Sequence, residues 1–149
     1  VIKIDNTYTI KDVAERFNLP ISTIRYYDKQ GLLPFVAKNQ AGYREFTTAD
    51  LHLIRTIVCL RNTEMPLRDI RQYINYCMAG PKSIPLRKAL LQSHKSRVLK
   101  KQAKIMHDLQ EIDYKLDRYN APDAAAFVSA ELQFASNEKR AHGLRDTFS

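Results

Sequence analysis

The chain has 149 residues, with 24 Lys and Arg against 16 Asp and Glu, four His, two Cys and no Trp. That length admits one compact domain or a small domain with an elongated helix, and a hydrophobic fraction of 44% excludes global disorder. No apolar run approaches the ~20 residues of a bilayer span, so no membrane partner is expected.

Val1-Ile2-Lys3-Ile4-Asp5 lacks a charged-then-apolar export pattern, and Cys59 and Cys77 make no disulfide framework. Together these features predict a reducing, cytoplasmic setting. Neither CxxC nor HxxxH occurs, so no metal site and no cofactor is expected. The formal charge is +8 and unevenly placed: residues 81–119 hold ten basic and four acidic groups, and the stretch from Lys82 to Lys104 holds eight basic and none acidic. A solvated helix face is the ordinary explanation of such a run; a polyanionic partner is the functional one.

In chain order, Thr9-Ile10-Lys11-Asp12 is a capping box, and Ile10, Val13, Ala14 and Phe17 share a face of the helix it opens. Asn18-Leu19-Pro20 ends that helix. A second runs from about Ser22 to Gln30 and stops at Gly31, with Ile24 and Tyr27 inward and Thr23, Arg25, Tyr26 and Lys29 outward. Two short helices joined in this way predict a helix-turn-helix. Leu32 to Phe46 reads as a small β-hairpin with its tip near Lys38-Asn39-Gln40. Thr47-Thr48-Ala49-Asp50 opens a third helix, to about Asn62, with Leu51, Ile54, Val58 and Cys59 as its apolar set. Pro66, at a first helical position, opens a fourth, which reaches about Cys77, and Gly80-Pro81 closes the head.

From Ser83 to Asn120 only Pro85 opposes helix, and Ile84, Leu91, Val98, Ile105, Ile112 and Tyr119 recur every seven residues. The row four residues on is polar at Lys88, Lys95 and Gln102 but apolar at Leu109 and Leu116, so pairing should be tightest over Ile105–Tyr119. Such a helix is about 55 Å long and cannot bury its own stripe. A homodimer buries it; an intramolecular hairpin is the alternative, but residues 121–149 hold few apolar side chains. The predicted dimer interface is Leu91, Val98, Ile105, Leu109, Ile112, Leu116 and Tyr119. Ala124 to Val128 predicts a short tail helix capped by Asp123.

Thr23-Ile24-Arg25-Tyr26-Tyr27-Asp28, Gly31-Leu32-Leu33-Pro34 and Gly42-Tyr43-Arg44-Glu45-Phe46, in this order after Tyr8-Thr9-Ile10, resemble the MerR family of transcription regulators. The resemblance covers residues 8–80 and extends along the long helix. It implies a mainly α fold: a winged helix-turn-helix DNA-binding head (1–80), a long antiparallel coiled-coil dimerisation helix (81–120) and a short tail (121–149). It also implies a DNA-contacting set of Thr9, Ser22, Thr23, Arg25, Tyr26, Lys29, Tyr43, Arg44 and Arg61, with Arg44 and Arg61 on the phosphate backbone. The partners it implies are promoter DNA and RNA polymerase, with a dimer distorting promoters whose −35 and −10 elements lie too far apart. Thr63-Glu64-Met65-Pro66 carries Glu64 where such regulators often carry glycine, which implies a differently shaped second wing.

The cysteines that metal-sensing members place on and after the dimer helix are absent, and residues 121–149 are too few for the ligand domain of drug-binding members. Cys59 matches the cysteine of members that answer aldehydes, other electrophiles or oxidants. Arg55 shares its helix face and favours a thiolate; a small buried hydrophobe is the plain alternative. Cys77 reads as packing. Tyr73, Tyr76 and Met78 leave open a noncovalent effector, and a protein-interaction module without DNA binding is a further alternative. Catalysis is not expected: His52 lies about 10 Å along the helix from Cys59, beyond proton-transfer reach.

Overall fold

The computed structural model describes residues 6–149, so the expectation about Val1–Asp5 lies outside the described residues. The described chain is mainly helical with one small hairpin, and it divides into a unit through Val98 and a second, Leu99–Ser149.

The first unit begins with α1 (Ile10–Arg16) and α2 (Ile21–Lys29). The capping box at α1 forms: the Asp12 amide donates to Thr9 Oγ1 at 3.2 Å, and the Thr9 amide to Asp12 Oδ2 at 2.9 Å. The helix closes on Asn18, whose φ of 52° lets the Leu19 amide reach the Ala14 carbonyl at 2.9 Å. Asparagine is one of the few residues that visits this left-handed region at little cost. The α2 helix ends by the same device at Gly31, with φ 76° and the Leu32 amide on the Tyr27 carbonyl at 3.0 Å.

Strands β1 (Ala37–Lys38) and β2 (Arg44–Glu45) pair antiparallel, Ala37 with Glu45 and Lys38 with Arg44. The tip therefore spans Asn39–Gly42, slightly later than the sequence suggested, because Asn39 Oδ1 accepts from the amides of Ala41 and Tyr43 at 3.0 and 3.1 Å. That side-chain turn fixes where the strands part. Reciprocal backbone bonds between Tyr8 and Phe46, 2.8 and 2.9 Å, tie the segment before α1 to the base of the wing.

Helix α3 (Thr48–Asn62) opens on the predicted Thr47–Asp50 box, and α4 (Leu67–Met78) follows with Pro66 at its N-cap rather than inside its first turn. One apolar cluster holds the unit together, centred on Val13, Ile24, Leu32, Phe46, Ile54, Ile57, Met65, Ile70 and Ile74. Full burial of each large aliphatic or aromatic side chain contributes roughly 1.5–3 kcal/mol. The buried face of α3 is Leu51, Ile54, Ile57 and Leu60, which corrects the expected set: Val58 is half-buried and Cys59 is exposed. A phase error of one residue on a 3.6-residue helix moved Cys59 off the core face.

Past Gly80 a single 3-10 turn, Pro81–Ser83, leads into α5 (Ile84–Asn120). Arg87 bonds the last carbonyls of α4 and the residue that leads into the turn, with Nη2 at 3.3 Å from Tyr76 and Cys77 and 3.1 Å from Gly80, while its Nε donates to Ser83 Oγ at 2.9 Å. A cation there complements the negative end of α4. Leu90 and Leu91 pack onto the apolar cluster of the head.

In the second unit, the remainder of α5 is followed by α6 (Ala124–Ala141), longer than the short helix expected. Asp123 sits at the N-cap but makes no capping bond; its carboxylate takes Arg118 at 3.3 Å, and that guanidinium lies 3.9 Å over the Phe127 ring. The tail folds back on α6 through Asp146, which accepts from Ser136 Oγ, Arg140 Nη2 and the Phe148 amide, each at 3.0 Å.

Candidate nucleic-acid interface

The solvent face of α2 follows from its inward one. Ile24 and Tyr27 are buried one turn apart, so Ser22, Arg25, Tyr26 and Lys29 face outward, with Thr23 half-buried. Tyr26 is 48% exposed, although its ring contacts Tyr27 at 6.4 Å between centroids. The phenol of Tyr27 is pushed above its ordinary value by burial, an effect that the nearby Arg61 cation partly opposes.

Thr9, Arg25, Tyr43 and Arg44 line one cleft of about 480 Å³ between the start of α1, α2 and the wing. Tyr43, at the wing, is 73% exposed. Arg44 is held within the protein. Its Nε and Nη2 donate to the two carboxylate oxygens of Asp28 at 3.0 and 2.9 Å, and its Nη1 donates to the Val36 carbonyl. A forked, half-buried ion pair of this kind fixes direction as well as distance. Arg44 thus fastens the wing to the last turn of α2. Asp28, not among the predicted site residues, is its partner; its place at the end of Arg25-Tyr26-Tyr27-Asp28 was the available signal.

Arg61 does not line this cleft. It ends α3 and directs Nη1 to the Met65 carbonyl at 3.4 Å. Glu64 next to it has φ 68°, and the Met65 amide reaches the Leu60 carbonyl at 2.9 Å. Glu64 takes the left-handed closure that glycine favours and that Asn18 and Gly31 also use.

Cys59 is exposed on α3, and its carbonyl accepts from Thr63 Oγ1 at 2.9 Å. Thr63 Oγ1 also lies 2.7 Å from Nε2 of His94, a buried residue of α5. The helix end that carries the thiol is thereby joined to the long helix. Cys77 is half-buried beside Tyr73, whose phenol is raised by burial and then by the Cys77 thiol. Along α5 the described side chains of Ile105, Leu109, Ile112, Leu116 and Tyr119 are 44–60% exposed, whereas Leu91 and Val98 are half-buried. Among the described residues no group of three or more His, Cys, Asp or Glu is placed to hold a metal ion, and no helix is long and apolar enough to cross a membrane.

A family model described as MerR HTH family regulatory protein matches residues 8–77. An HTH-type transcriptional regulator of Haemophilus influenzae is 35% identical over 124 residues, 83% of this chain and 92% of its own. AdhR of Bacillus subtilis, also an HTH-type transcriptional regulator, is 30% identical over 90 residues, 60% of this chain and 64% of its own. Among solved structures, HiNmlR, described as a MerR family regulator lacking the sensor domain and bound to promoter DNA, is similar with a TM-score of 0.75 at 34% identity, covering 84% of this chain and 99% of that one. A MerR family regulator from Bacillus thuringiensis is similar with a TM-score of 0.72 at 39% identity, covering 76% and 100%.

Proposed function

The chain belongs to the MerR family of helix-turn-helix regulatory proteins and is a DNA-binding transcriptional regulator, and on that premise we propose that it acts as a cytoplasmic homodimer that activates promoters with long spacers through RNA polymerase. The observation that carries the DNA-reading part is the clamped pairing of α2 with the wing. Arg25 on α2 and Tyr43 on the wing line one cleft, and the Asp28–Arg44 fork holds the two elements together. In the proposed complex Arg25 and Thr23 address base edges in the major groove, while Thr9, Ser22, Tyr26, Lys29, Tyr43 and Arg61 contact phosphates. Arg44 acts by positioning the wing. Distorting the promoter costs several kcal/mol, offset by phosphate contacts from both heads.

For the signal, the proposal is a thiol switch at Cys59. Its exposure favours this over a packing role. The thiolate sulfur adds to an electrophilic carbon, and the proton lost by the thiol returns to the adduct from water. The added group then displaces the end of α3, and Thr63 and His94 pass that displacement to α5.

The test is in vitro transcription from the DNA upstream of the protein's own gene, comparing reduced protein with protein treated with a small aldehyde, and Cys59→Ser in parallel. Activation on treatment that Cys59→Ser abolishes supports both activation and the switch. Binding and activation without thiol dependence would remove Cys59 from the account and leave the promoter reading standing.

A further inference from the structure

The end of α2 is held from the side opposite the wing as well. The carbonyls of Tyr26, Tyr27 and Asp28 are taken locally, by the amides of Gln30, Leu32 and Gly31 at 2.9, 3.0 and 3.0 Å. The Gln30 carbonyl, at the C-cap, turns instead to α4, where Arg71 Nε donates to it at 2.6 Å from 41 positions away. Arg71 is half-buried, and it follows Ile70 on a helix whose Ile70 and Ile74 are fully enclosed, so its backbone is fixed by the core. Its stem lies against Gly31: a carbon added there would come within 3.4 Å of Nε and 3.7 Å of Cδ. Glycine at this point supplies both the left-handed turn and an open face for the arginine. A cation at this end also complements the negative pole of α2, and a bond from a charged donor is stronger than a neutral one.

We propose that Arg71 is a positioning residue for DNA reading: from α4 it fixes the end of α2 and so the direction in which Arg25 and Lys29 leave that helix. The inference rests on the DNA-reading role given to α2 above and adds the group that sets its orientation from the core. The Asp28–Arg44 fork ties the last turn of α2 to a hairpin of two short strands. Arg71 ties the next residues to α4, whose buried face belongs to the apolar cluster of the head. A helix end tied once can swing about the tie; ties to two different elements stop that swing. Binding groups need to be held within about 0.5 Å of their productive place. With nine residues, α2 is only about 14 Å long, so a shift at its end is felt at Lys29 and Arg25.

The experiment is titration of two labelled duplexes, the DNA upstream of the protein's own gene and a shuffled sequence of equal length, with Arg71→Met and Arg71→Gln. Glutamine places an uncharged N–H donor as many bonds from the backbone as Arg71 Nε; methionine has a similar length and no donor. Circular dichroism checks that each variant is folded under the binding conditions. Arg71→Met should bind the upstream DNA about tenfold more weakly. Its affinity for the shuffled duplex should stay within about twofold of the wild type, because that binding is carried by phosphate contacts made elsewhere. Arg71→Gln should return to within about threefold of the wild type on the upstream DNA, with an unchanged salt dependence.

Arg71→Gln as weak as Arg71→Met would overturn the proposal, and a shallower salt dependence would then make Arg71 a phosphate contact. Equal losses on both duplexes would overturn it in favour of a purely structural role, as would Arg71→Met binding like the wild type in favour of none. Should Arg71→Met fail to fold, Arg71→Gln decides alone by its affinity and salt dependence. Wild-type protein that binds both duplexes equally would overturn the DNA-reading role of α2 itself, which separates the two failures.

Discussion

The Asp28–Arg44 fork is the residue pair on which the geometry of the proposed reading surface depends, because it joins an α2 residue to a wing residue 16 positions away. Asp28→Ala should lower operator affinity without removing any group that touches DNA. Arg44→Lys should not preserve affinity, since a point charge cannot make the forked contact. Arg25→Ala should cost the loss of a base contact, about 1–3 kcal/mol or roughly 5- to 150-fold in Kd. Titrating labelled operator with each variant checks all three, and an Arg44→Lys affinity equal to wild type would refute the positioning role. Arg25 and Tyr26 were legible as outward residues because Ile24 and Tyr27 define the opposite face. The duty of Arg44 was not, because a sequence shows a basic wing residue without showing the carboxylate that claims it. Cys59 was misread for a related reason: Ile57, Val58, Cys59 and Leu60 are all apolar, and only packing decides which of them face inward.

At the scale of elements, α1, α2, α3 and α6 end in one common way, on a left-handed residue: Asn18, Gly31, Glu64 and Gly143. Gly31 and Asn18 announce this in the sequence, whereas a glutamate does not. Gly31→Ala should destabilise the head by about 1–2 kcal/mol, because its φ of 76° is unfavourable for any L side chain and the added carbon would meet Arg71 Nε at 3.4 Å. Thr47→Ala should cost about 1 kcal/mol through loss of the cap on α3. Urea unfolding of both variants tests these values. The head should also respond to alkali. With the phenols of Tyr27 and Tyr73 raised in the folded state, mainly by burial, the folded chain holds protons that the unfolded chain releases. Stability contributed by this difference is complete below about pH 10 and falls as pH rises toward the folded values. Tyr27→Phe should reduce the slope of stability against pH in that range. The capping boxes, both helix stops and the length of α5 were plain in the sequence because each rests on local chemistry. The extent of α6 was not, since its polar residues give no strong period.

At the scale of the molecule, the head carries its own apolar cluster, and the described part of α5 beyond it presents a row of half-exposed apolar side chains. The sequence announced that row by its seven-residue spacing and its need for a partner. Which part of it serves the head was hidden, since Leu91 is in phase with the seam and yet packs on the cluster. The central claim is that two such heads read promoter DNA together through α2 and the wing. Footprinting of the wild type and Arg25→Ala on the DNA upstream of the protein's own gene tests this most directly. Two protected half-sites related by two-fold symmetry are predicted, both lost at the same protein concentration in Arg25→Ala. A single protected half-site, or a footprint that Arg25→Ala leaves unchanged, would contradict the claim.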